Sequence, residues 1–432
     1  MKILRFAFLS VLIVFVATAS SQCKRETLPE SKARREWLPR TEGFAQKYTM
    51  DQVLILSRHN IRTPLVGKGS VLSRLTDSDY SWFAWEGDAA TLTPKGERLE
   101  TLMGSFFRQW MDENGLLSDY GKDPYAFRFY ANAKQRCQVT ARYFADALLP
   151  GRNPDVEMNV QYDTMDPVFH PQITKFSAEF EQKAQKEIAE LFGNLDVHVA
   201  GQYSMIEKVI NISGSPAYPD TSSFSQFPSS VGYKLNAEPF MTGGLKMACS
   251  VSDALVLQYY EEPDVRKAAF GQTLTVDDWT DISAVKEWYG DALFTVPSVA
   301  VNVAHPLLLT ILSELQNEKR TFTFLCGHDS NIGSVLASLE AEPYELEEAI
   351  EKHIPIGSKL VIEKFIGKDG KEYADIWHIY ASVNQLREES VLSLDNPPMA
   401  HRVRLRGLNE NSDGLYDLSE VEKRISKAIN AY

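Results

Sequence analysis

Val53-Leu54-Ile55-Leu56-Ser57-Arg58-His59-Asn60-Ile61-Arg62-Thr63-Pro64 is the stretch that decides how this chain folds. Its first four residues form a short and wholly apolar run, which is typical of a strand buried on both faces of a sheet. The polar residues begin where the predicted strand ends. Ligand sites in open α/β sheets form just beyond the carboxyl ends of strands, so we expect this loop, which Pro64 stiffens, to meet a ligand.

The residue types in this loop suit a phosphate ester. Arginine side chains pair with phosphate oxygens two at a time and never deprotonate, so Arg58 and Arg62 are candidate phosphate ligands. An imidazole that is kept neutral can attack phosphorus, which makes His59 a candidate nucleophile. The positive field of the arginines would lower the pKa of His59 and keep its ring unprotonated. Taken alone, the loop is also compatible with ordinary solvated residues at a strand end.

Arg136 has a similar position in a second segment. The aromatic-rich run Tyr125–Tyr130 predicts a strand, and Arg136 follows it at the start of a predicted helix that runs to Leu149. The free N–H groups of a helix start favour anions. A lone arginine is more often a surface residue, but its place beyond a strand makes Arg136 a candidate phosphate ligand.

A third strand end carries Gly327-His328-Asp329. The apolar run Thr321–Cys326 predicts a buried strand, and a helix is expected from this motif through Leu339. Gly327 permits a close backbone approach, His328 can donate to a phosphate oxygen, and Asp329 can give a proton to the departing oxygen. A carboxylate at a helix start can also serve as an N-cap, and that interpretation of Asp329 stays open.

The alternation of strands and helices indicates an α/β fold with a long helical insertion. Residues 156–296 show helical patterns and polar loops without alternating strands, so we predict a smaller all-helical cap domain there. The α/β domain would then comprise residues 48–155 and 297–432. A cap over a strand-end site can shape the pocket for the leaving group. Asp253 and Glu261 lie on one predicted cap helix and are candidates for that pocket, although a solvated helix face is the simpler interpretation of each.

Charge and composition exclude several classes of protein. The chain has 432 residues and a net charge of -13, with no basic stretch that could neutralise a nucleic-acid backbone. Its length predicts two domains, or one domain with a large insertion. The sequence contains no Walker loop, no His-Glu-x-x-His helix and no Gly-x-Ser-x-Gly elbow. We therefore expect a small-molecule partner and no nucleic acid.

The N-terminus predicts export. Residues 1–19 carry a basic start, an apolar run too short to span a bilayer comfortably and a small-residue end, which is typical of a cleavable signal peptide. We expect a periplasmic or secreted protein without a stable membrane span. A lipid anchor at Cys23 is less favoured, because Gln22 fits lipoprotein processing poorly. Disulfides could form in an oxidising compartment, but the sequence does not determine the pairing among Cys23, Cys137, Cys249 and Cys326.

A metal centre is the alternative interpretation of the histidine motifs. His59, His328 and Asp329 could together form a ligand set for a divalent ion. Three arginines around such an ion would repel it, whereas they suit a phosphate. We therefore expect neither a metal nor another cofactor.

The paired motifs resemble those of the histidine acid phosphatases. Arg58-His59-Asn60-Ile61-Arg62-Thr63-Pro64 and Gly327-His328-Asp329 match that family, and the similarity extends over nearly the whole mature chain. Shorter runs, among them Tyr130-Ala131-Asn132, Gln135-Arg136 and Pro355-Ile356-Gly357, are most similar to those of bacterial glucose-1-phosphatases.

The resemblance implies a fold and a mechanism. The fold would be α/β, with a central mixed β-sheet flanked by helices and an inserted smaller helical domain. The reaction would be metal-free and would proceed through a phosphohistidine on His59, with Asp329 protonating the leaving alcohol. The phosphoryl group would be held by Arg58, Arg62, Arg136 and His328.

The predicted substrate is a small sugar phosphate such as glucose 1-phosphate. Most family members have glycine where this chain has Asn60, whereas glucose-1-phosphatases resemble this chain in having asparagine, which tolerates left-handed backbone geometry. A phytase is the alternative, and its polyanionic substrate should need more basic residues at the mouth of the site. Residues 65–91 offer only Lys68 and Arg74 against four acids. A non-catalytic sugar-phosphate-binding envelope protein is a further alternative, and the oligomeric state is undetermined.

Overall fold

Strand β1, Tyr48–Arg58, lies in the middle of the fold. The computed structural model describes residues 37–65, 80–118, 120, 123–210, 212, 220 and 223–432. The predicted signal peptide, Cys23, and Lys68 and Arg74 lie outside these residues. From Trp37 onward the chain forms one compact unit.

A mixed sheet surrounds β1, as the resemblance to the histidine acid phosphatases implied. Its other strands are β2 (Phe127–Ala131), β5 (Phe322–Gly327), β6 (Lys359–Gly367), β7 (Glu372–Tyr380), β8 (Met399–Arg402) and β9 (Tyr416–Asp417). A separate antiparallel ribbon consists of β3 (Ser230–Gly232) and β4 (Phe240–Thr242). The sheet order is β2, β5, β1, β6, β7, β8, with β9 paired to β7. The pairs β2·β5 and β5·β1 are parallel and the remaining pairs of this sheet are antiparallel.

The apolar run of β1 is buried on both faces, which confirms the prediction. Val53 and Ile55 belong to one hydrophobic core, and Leu54 and Leu56 belong to the core on the opposite face. This alternation follows from the two-residue period of a strand. Burying each such side chain contributes about 1.5 to 3 kcal/mol. Packing in both cores therefore fixes the position of β1, which ends at Arg58.

The helices cover both faces of the sheet. Helices before the insertion and within it are α1 (Phe44–Lys47), α2 (Pro94–Glu113), α3 (Gln135–Leu148), α4 (Ala178–Phe192), α5 (Leu195–His198), α6 (Ala200–Val209), α7 (Gly244–Glu261), α8 (Val265–Ala268) and α9 (Val276–Phe294). Those after it are α10 (Pro297–Leu315), α11 (Asp329–Ser338), α12 (Val383–Glu388) and α13 (Leu418–Asn430). The ring of Phe144 on α3 stacks on Phe324 of β5 at 4.2 Å. On the other face Leu308 of α10 packs into the core that contains Leu54.

Helix α2 begins after Thr93, with a proline as its first residue. The Thr93 side chain accepts a hydrogen bond from the Gly96 N–H, and Pro94 occupies the first turn. Both features are typical of a helix start. Phe106 and Phe107 are fully buried on the apolar face of the helix, so local capping and tertiary packing select the same element.

The segment 156–296 contains helices α4 to α9, and its described residues contribute no strand to the main sheet. It is not wholly helical, because β3 and β4 form a short ribbon in which the Phe240 ring lies over Gly232, where any larger side chain would clash. Helix α9 is the last helix of this segment and ends at Phe294. The boundaries that we predict for a separate cap domain stay a prediction.

Helix α10 is the one described helix that is long and apolar enough to cross a membrane. In its most apolar window 61% of the residues are buried inside the protein, as in a core helix.

Candidate active site

Three parallel strands bring the three predicted motifs to one edge of the sheet. In the strand register Arg58 lies opposite Gly327, and Ala131 lies opposite Cys326. The His59 N–H donates to the Gly327 carbonyl at 3.0 Å. The His59 and His328 ring centroids are 5.4 Å apart. Segments that are distant in the chain therefore meet just beyond the carboxyl ends of the strands.

His59 is buried and held in one tautomer. Its Nδ1 lies 2.8 Å from the Asn60 carbonyl oxygen, and since a carbonyl can only accept, Nδ1 carries the hydrogen. The lone pair is therefore on Nε2, the atom that would attack phosphorus. Burial lowers the pKa of His59 well below its usual value, and the positive charges of Arg136, Arg58 and Arg62 lower it further. Both effects favour the neutral ring.

Arg58 and Arg62 are both anchored to acids. One guanidinium nitrogen of Arg62 donates to both carboxylate oxygens of Asp253, at 2.9 and 3.0 Å. Arg58 donates to Glu351 at 2.6 Å and lies 3.4 Å from Asp329. Burial would raise the pKa of Glu351, but the charges of Arg58 and Lys286 lower it below the usual range. Both carboxylates therefore stay ionised and hold the arginines at the strand end.

Arg136 differs from the other two arginines, because no carboxylate of the described residues lies within ion-pair distance of it. Its nearest hydrogen-bond acceptor is the Ala90 carbonyl at 3.5 Å, and its Nε atom is buried without a partner. Burial lowers the pKa of the guanidinium. The Arg136 side chain as a whole is half-buried. A buried donor without an acceptor is costly unless an anion completes its surroundings, so this geometry favours an anionic ligand.

His328 begins helix α11. Its backbone N–H donates to the Asn331 side chain at 2.9 Å, which caps the helix start. The Asn132 side-chain oxygen accepts from the Asp166 N–H, so its amide nitrogen is the atom that donates to Nε2 of His328 at 2.8 Å. The ring hydrogen of His328 therefore lies on Nδ1, the only ring atom from which it can donate to a phosphate.

Asp329 faces a cavity, with 41% of its side chain exposed. Its Oδ2 lies 3.0 Å from the ammonium of Lys286. Burial would raise the pKa of Asp329, but the charges of Lys286 and Arg58 lower it well below its usual range. These ion pairs favour the carboxylate form of Asp329.

The cavity has a volume of about 540 Å³, which is enough for a phosphorylated sugar. Its charged lining consists of Arg58, Arg62, Lys246, Asp253, Lys286, Glu287, Asp291, Asp329, Glu351 and His353. Tyr289 and Phe294 add aromatic surface to the wall. Among the predicted site residues His59, Arg136 and His328 do not line it, and they form a buried group next to it.

The two candidates for a leaving-group pocket, Asp253 and Glu261, lie in different surroundings. Asp253 lines the cavity and pairs with Arg62. Glu261 does not line the cavity, so the structure corrects that part of the prediction. Glu261 is buried and accepts a hydrogen bond from the Thr93 hydroxyl. It is the last residue of α7, and its side chain lies against the start of α2.

The interpretation of Asn60 also needs correction. Asn60 is not among the described residues with positive φ. Its side chain instead donates to Glu100 at 2.8 Å, and Glu100 pairs with Lys359 at 2.7 Å. Gly357 has a φ of 69° and packs against the Asn60 side chain, where an added Cβ would lie 2.7 Å from the amide nitrogen. Asn60 therefore fixes the loop through its side chain.

Sequence reasoning missed Lys286 and Glu351. Lys286 lies 3.0, 3.6 and 3.7 Å from Asp329, Asp253 and Glu351. A lysine within a helix is usually solvated, and nothing in the local pattern around Lys286 distinguishes it. Two other residues of the cavity lining have shifted pKa values. Burial raises the pKa of Glu287 to about 7. Burial would lower the pKa of His353, but its hydrogen bond to Asp291 raises that pKa to about 9.

The described residues contain no group of three or more His, Cys, Asp or Glu side chains that could hold a metal ion. The three described cysteines, Cys137, Cys249 and Cys326, are buried free thiols. The Cys137 sulfur lies 3.5 Å from the Gly327 carbonyl, so it packs beneath the third motif.

Comparison with known proteins adds independent information. The model of the histidine phosphatase superfamily (branch 2) matches residues 49–380. The chain is 35% identical to glucose-1-phosphatase of Providencia rettgeri over 392 residues, covering 88% of this chain and 92% of that protein. It is 34% identical to glucose-1-phosphatase of Salmonella typhimurium over 429 residues, covering 97% and 99%. The solved phytase of Citrobacter braakii shares the fold, with a TM-score of 0.79, 22% identity and coverage of 88% and 98%.

Proposed function

This chain belongs to branch 2 of the histidine phosphatase superfamily and is a phosphatase, and from that premise we propose that it is an exported acid phosphomonoesterase for small sugar phosphates such as glucose 1-phosphate. The proposal includes a covalent phosphohistidine on His59. Its site would hold the phosphoryl group with Arg58, Arg62, Arg136 and His328, and Asp329 would serve as the proton donor.

The observation that carries the proposal is the half-buried guanidinium of Arg136, whose Nε is buried without an acceptor and which has no acid partner among the described residues, beside His59, whose pKa is lowered. A phosphate ester would supply the missing negative charge and bring its phosphorus to the nucleophile. Arginine forks suit the equatorial oxygens of the transferring group, where charge must be stabilised. The strand-end geometry thus supports phosphoryl transfer better than simple anion storage.

The proposed reaction has two balanced steps. In the first, a bond forms between Nε2 of His59 and phosphorus, the ester P–O bond breaks, and the proton of Asp329 passes to the departing alcohol oxygen. In the second, water attacks phosphorus, the N–P bond breaks, and the Asp329 carboxylate takes the proton from water. Phosphate then leaves, and Asp329 is again protonated, as it was before the first step.

The cavity lining supports a substrate of low charge. Four arginines and lysines, Arg58, Arg62, Lys246 and Lys286, face five acids, Asp253, Glu287, Asp291, Asp329 and Glu351. A polyphosphorylated ring would bring several phosphates to a wall that already carries these acids, and like charges repel. The two relatives named glucose-1-phosphatase point the same way.

A phytase remains the second candidate, because the solved phytase shares the fold over most of both chains. Phosphate release from glucose 1-phosphate and from phytate, measured side by side at acidic pH, separates the two. We expect a higher kcat/KM on glucose 1-phosphate. A higher value on phytate would assign the enzyme to the phytases, and no release from any ester would leave a binding protein.

Asp329→Asn tests the proton donor. We expect glucose 1-phosphate turnover to fall by about 10²- to 10⁴-fold. The loss should be smaller on p-nitrophenyl phosphate, because its leaving group needs less protonation. Equal losses on the two substrates would remove the acid role.

The export part of the proposal rests on residues 1–19. Expression of the full chain in a Gram-negative host, followed by osmotic release, should place the phosphatase activity in the periplasmic fraction or the medium. Full-length protein retained in the cytoplasm would contradict export without touching the catalytic proposal.

A further inference from the structure

Lys286 lies between three carboxylates of the strand-end site. Its ammonium is 3.0 Å from Asp329, 3.6 Å from Asp253 and 3.7 Å from Glu351. Only 16% of its side chain is exposed. The nearest contact is with the carboxylate that carries a proton in the proposed first step, and the other two carboxylates are already within ion-pair distance.

Each of those other carboxylates already has an arginine partner. Arg62 pairs with Asp253 and Arg58 pairs with Glu351. Both arginines are candidate ligands of the phosphoryl group, so a bound phosphate ester would draw their positive charge towards its own oxygens. Asp253 and Glu351 would then need another cation, and Lys286 is the group within reach.

We propose that Lys286 is a positioning residue that keeps Asp329 ionised in the free enzyme and transfers to Asp253 and Glu351 when a phosphate ester binds. Asp329, left without its cation, takes up one proton from solvent and becomes the donor only in the complex. The inference rests on the proposed function, because it concerns the proton of the first step. It explains how a carboxylate paired with Lys286 and Arg58 can act as an acid.

The surroundings of Asp329 are consistent with this exchange. Burial favours the neutral carboxyl, whereas Lys286 and Arg58 favour the carboxylate, so removal of one cation shifts the balance. The titratable and charged groups around Asp329 and its partners come from six parts of the fold: Arg58 at the end of β1, His59 and Arg62 in the loop after it, Arg136 on α3, Cys249, Asp253 and Tyr260 on α7, Lys286 and Glu287 on α9, and Glu351 before β6.

Lys286→Met tests the proposal through two pH profiles. The kcat/KM profile reports the free enzyme, and the kcat profile reports the complex. Without Lys286 the alkaline limb of kcat/KM on glucose 1-phosphate should move up by about one to three pH units, while the limb of kcat should move much less. The ionisation of the substrate itself is the same for all variants and cancels in the comparison.

Two matched variants complete the kinetic test. Lys286→Arg keeps a cation at the same place and should restore the wild-type limb. Lys246→Met removes another cavity lysine, whose ammonium lies over the Tyr289 ring at 5.0 Å, and should leave both limbs in place whatever its effect on KM. A kcat/KM limb that stays in place in Lys286→Met, or two limbs that move equally, would overturn the proposal.

Binding of inorganic sulfate supplies a measurement that needs no turnover. Calorimetry at pH 5 to 6 in buffers of different ionisation enthalpy should show uptake of about one proton per sulfate by the wild type. Asp329→Asn should take up none, and Lys286→Met clearly less than the wild type. Equal uptake by all three would contradict the exchange. Failure of the proposed function is distinct, since it would appear as no phosphate release from any ester.

Discussion

Two clusters of buried arginines and acids flank β1, and they have different charge balances. The Arg40 cluster consists of Arg40, Glu363, Asp375 and Arg402 beside the middle of the strand, where Glu363 pairs with Val53. The strand-end cluster consists of Arg58, Arg62, Arg136, Asp253, Lys286, Asp329 and Glu351. The first has two cations for two acids, whereas the second has four cations for three acids.

The difference teaches how a functional arginine is distinguished from a structural one. In the Arg40 cluster Arg40 contacts both acids at 2.5 Å and Arg402 contacts Asp375 at 2.6 Å. In the strand-end cluster Arg136 has no acid partner among the described residues, and Arg58 retains a buried Nε without an acceptor. Excess positive charge beside a cavity is therefore the feature that distinguishes the proposed ligand site, and burial or arginine content alone is not.

The largest effect is expected for His59→Ala. Loss of the nucleophile should reduce kcat on glucose 1-phosphate by about 10⁴-fold or more, because no other neutral imidazole of the site has a free Nε2. The thermal unfolding midpoint should stay close to that of the wild type. Residual turnover within tenfold of the wild type, measured by phosphate release, would contradict covalent catalysis at His59.

Arg136→Met should separate function from stability. Removal of one phosphate ligand should lower kcat/KM by about 10²- to 10³-fold. The free energy of unfolding should be unchanged or higher by about 1 to 2 kcal/mol, because a half-buried cation without an acid partner among the described residues is removed. Urea unfolding checks the sign, and a strongly destabilised variant would mean that Arg136 has a structural partner.

Arg40→Met should give the opposite pattern. It leaves Glu363 buried without its cation, and we expect a loss of about 3 to 5 kcal/mol in the free energy of unfolding. The kcat of the folded fraction at low temperature should equal that of the wild type. A selective loss of kcat without loss of stability would end the distinction between the two clusters.

The smallest effect concerns Glu261→Gln. Burial raises the pKa of Glu261 above its usual value of 4.5, so the folded protein holds this proton more tightly than the unfolded chain does. Below pH 4.5 this proton stabilises the folded protein fully. The stabilisation is lost as the pH rises through the raised pKa that Glu261 has in the folded protein. Between pH 4 and pH 7 the free energy of unfolding of the variant, measured in urea, should therefore rise relative to that of the wild type by no more than about 1 kcal/mol. Its kcat/KM should be unchanged. A larger gain at pH 4 would contradict the raised pKa.

The sequence predicted the parts of the site whose signals are local. The apolar run Val53–Leu56 and the motifs at Arg58, Arg136 and His328 were identifiable because strand patterns and strand-end polarity lie next to each other in the chain. Lys286 was not identifiable, because its role depends on carboxylates from α7, α11 and the loop before β6 that only the tertiary fold assembles.

The same reasoning explains the two corrections. Glu261 and Asp253 lie on the same helix and look alike in sequence, but α7 turns one towards Thr93 and the other towards Arg62. Asn60 suggested left-handed backbone geometry, whereas its side chain binds Glu100, forty positions away. Both corrections concern the direction in which a side chain points towards a neighbouring element of the fold. The spacing of residues in the sequence does not determine that direction.

The most direct test of the account is to trap the covalent intermediate. Wild-type enzyme mixed with glucose 1-phosphate and quenched in alkaline detergent, which preserves phosphohistidine, should carry one phosphoryl group on the peptide that contains His59. Arg40→Met should be labelled at the same residue, and His59→Ala should carry no label. A phosphoryl group on any other residue, or unlabelled enzyme during steady turnover, would contradict the assignment of the strand-end cluster as a site of phosphoryl transfer to His59.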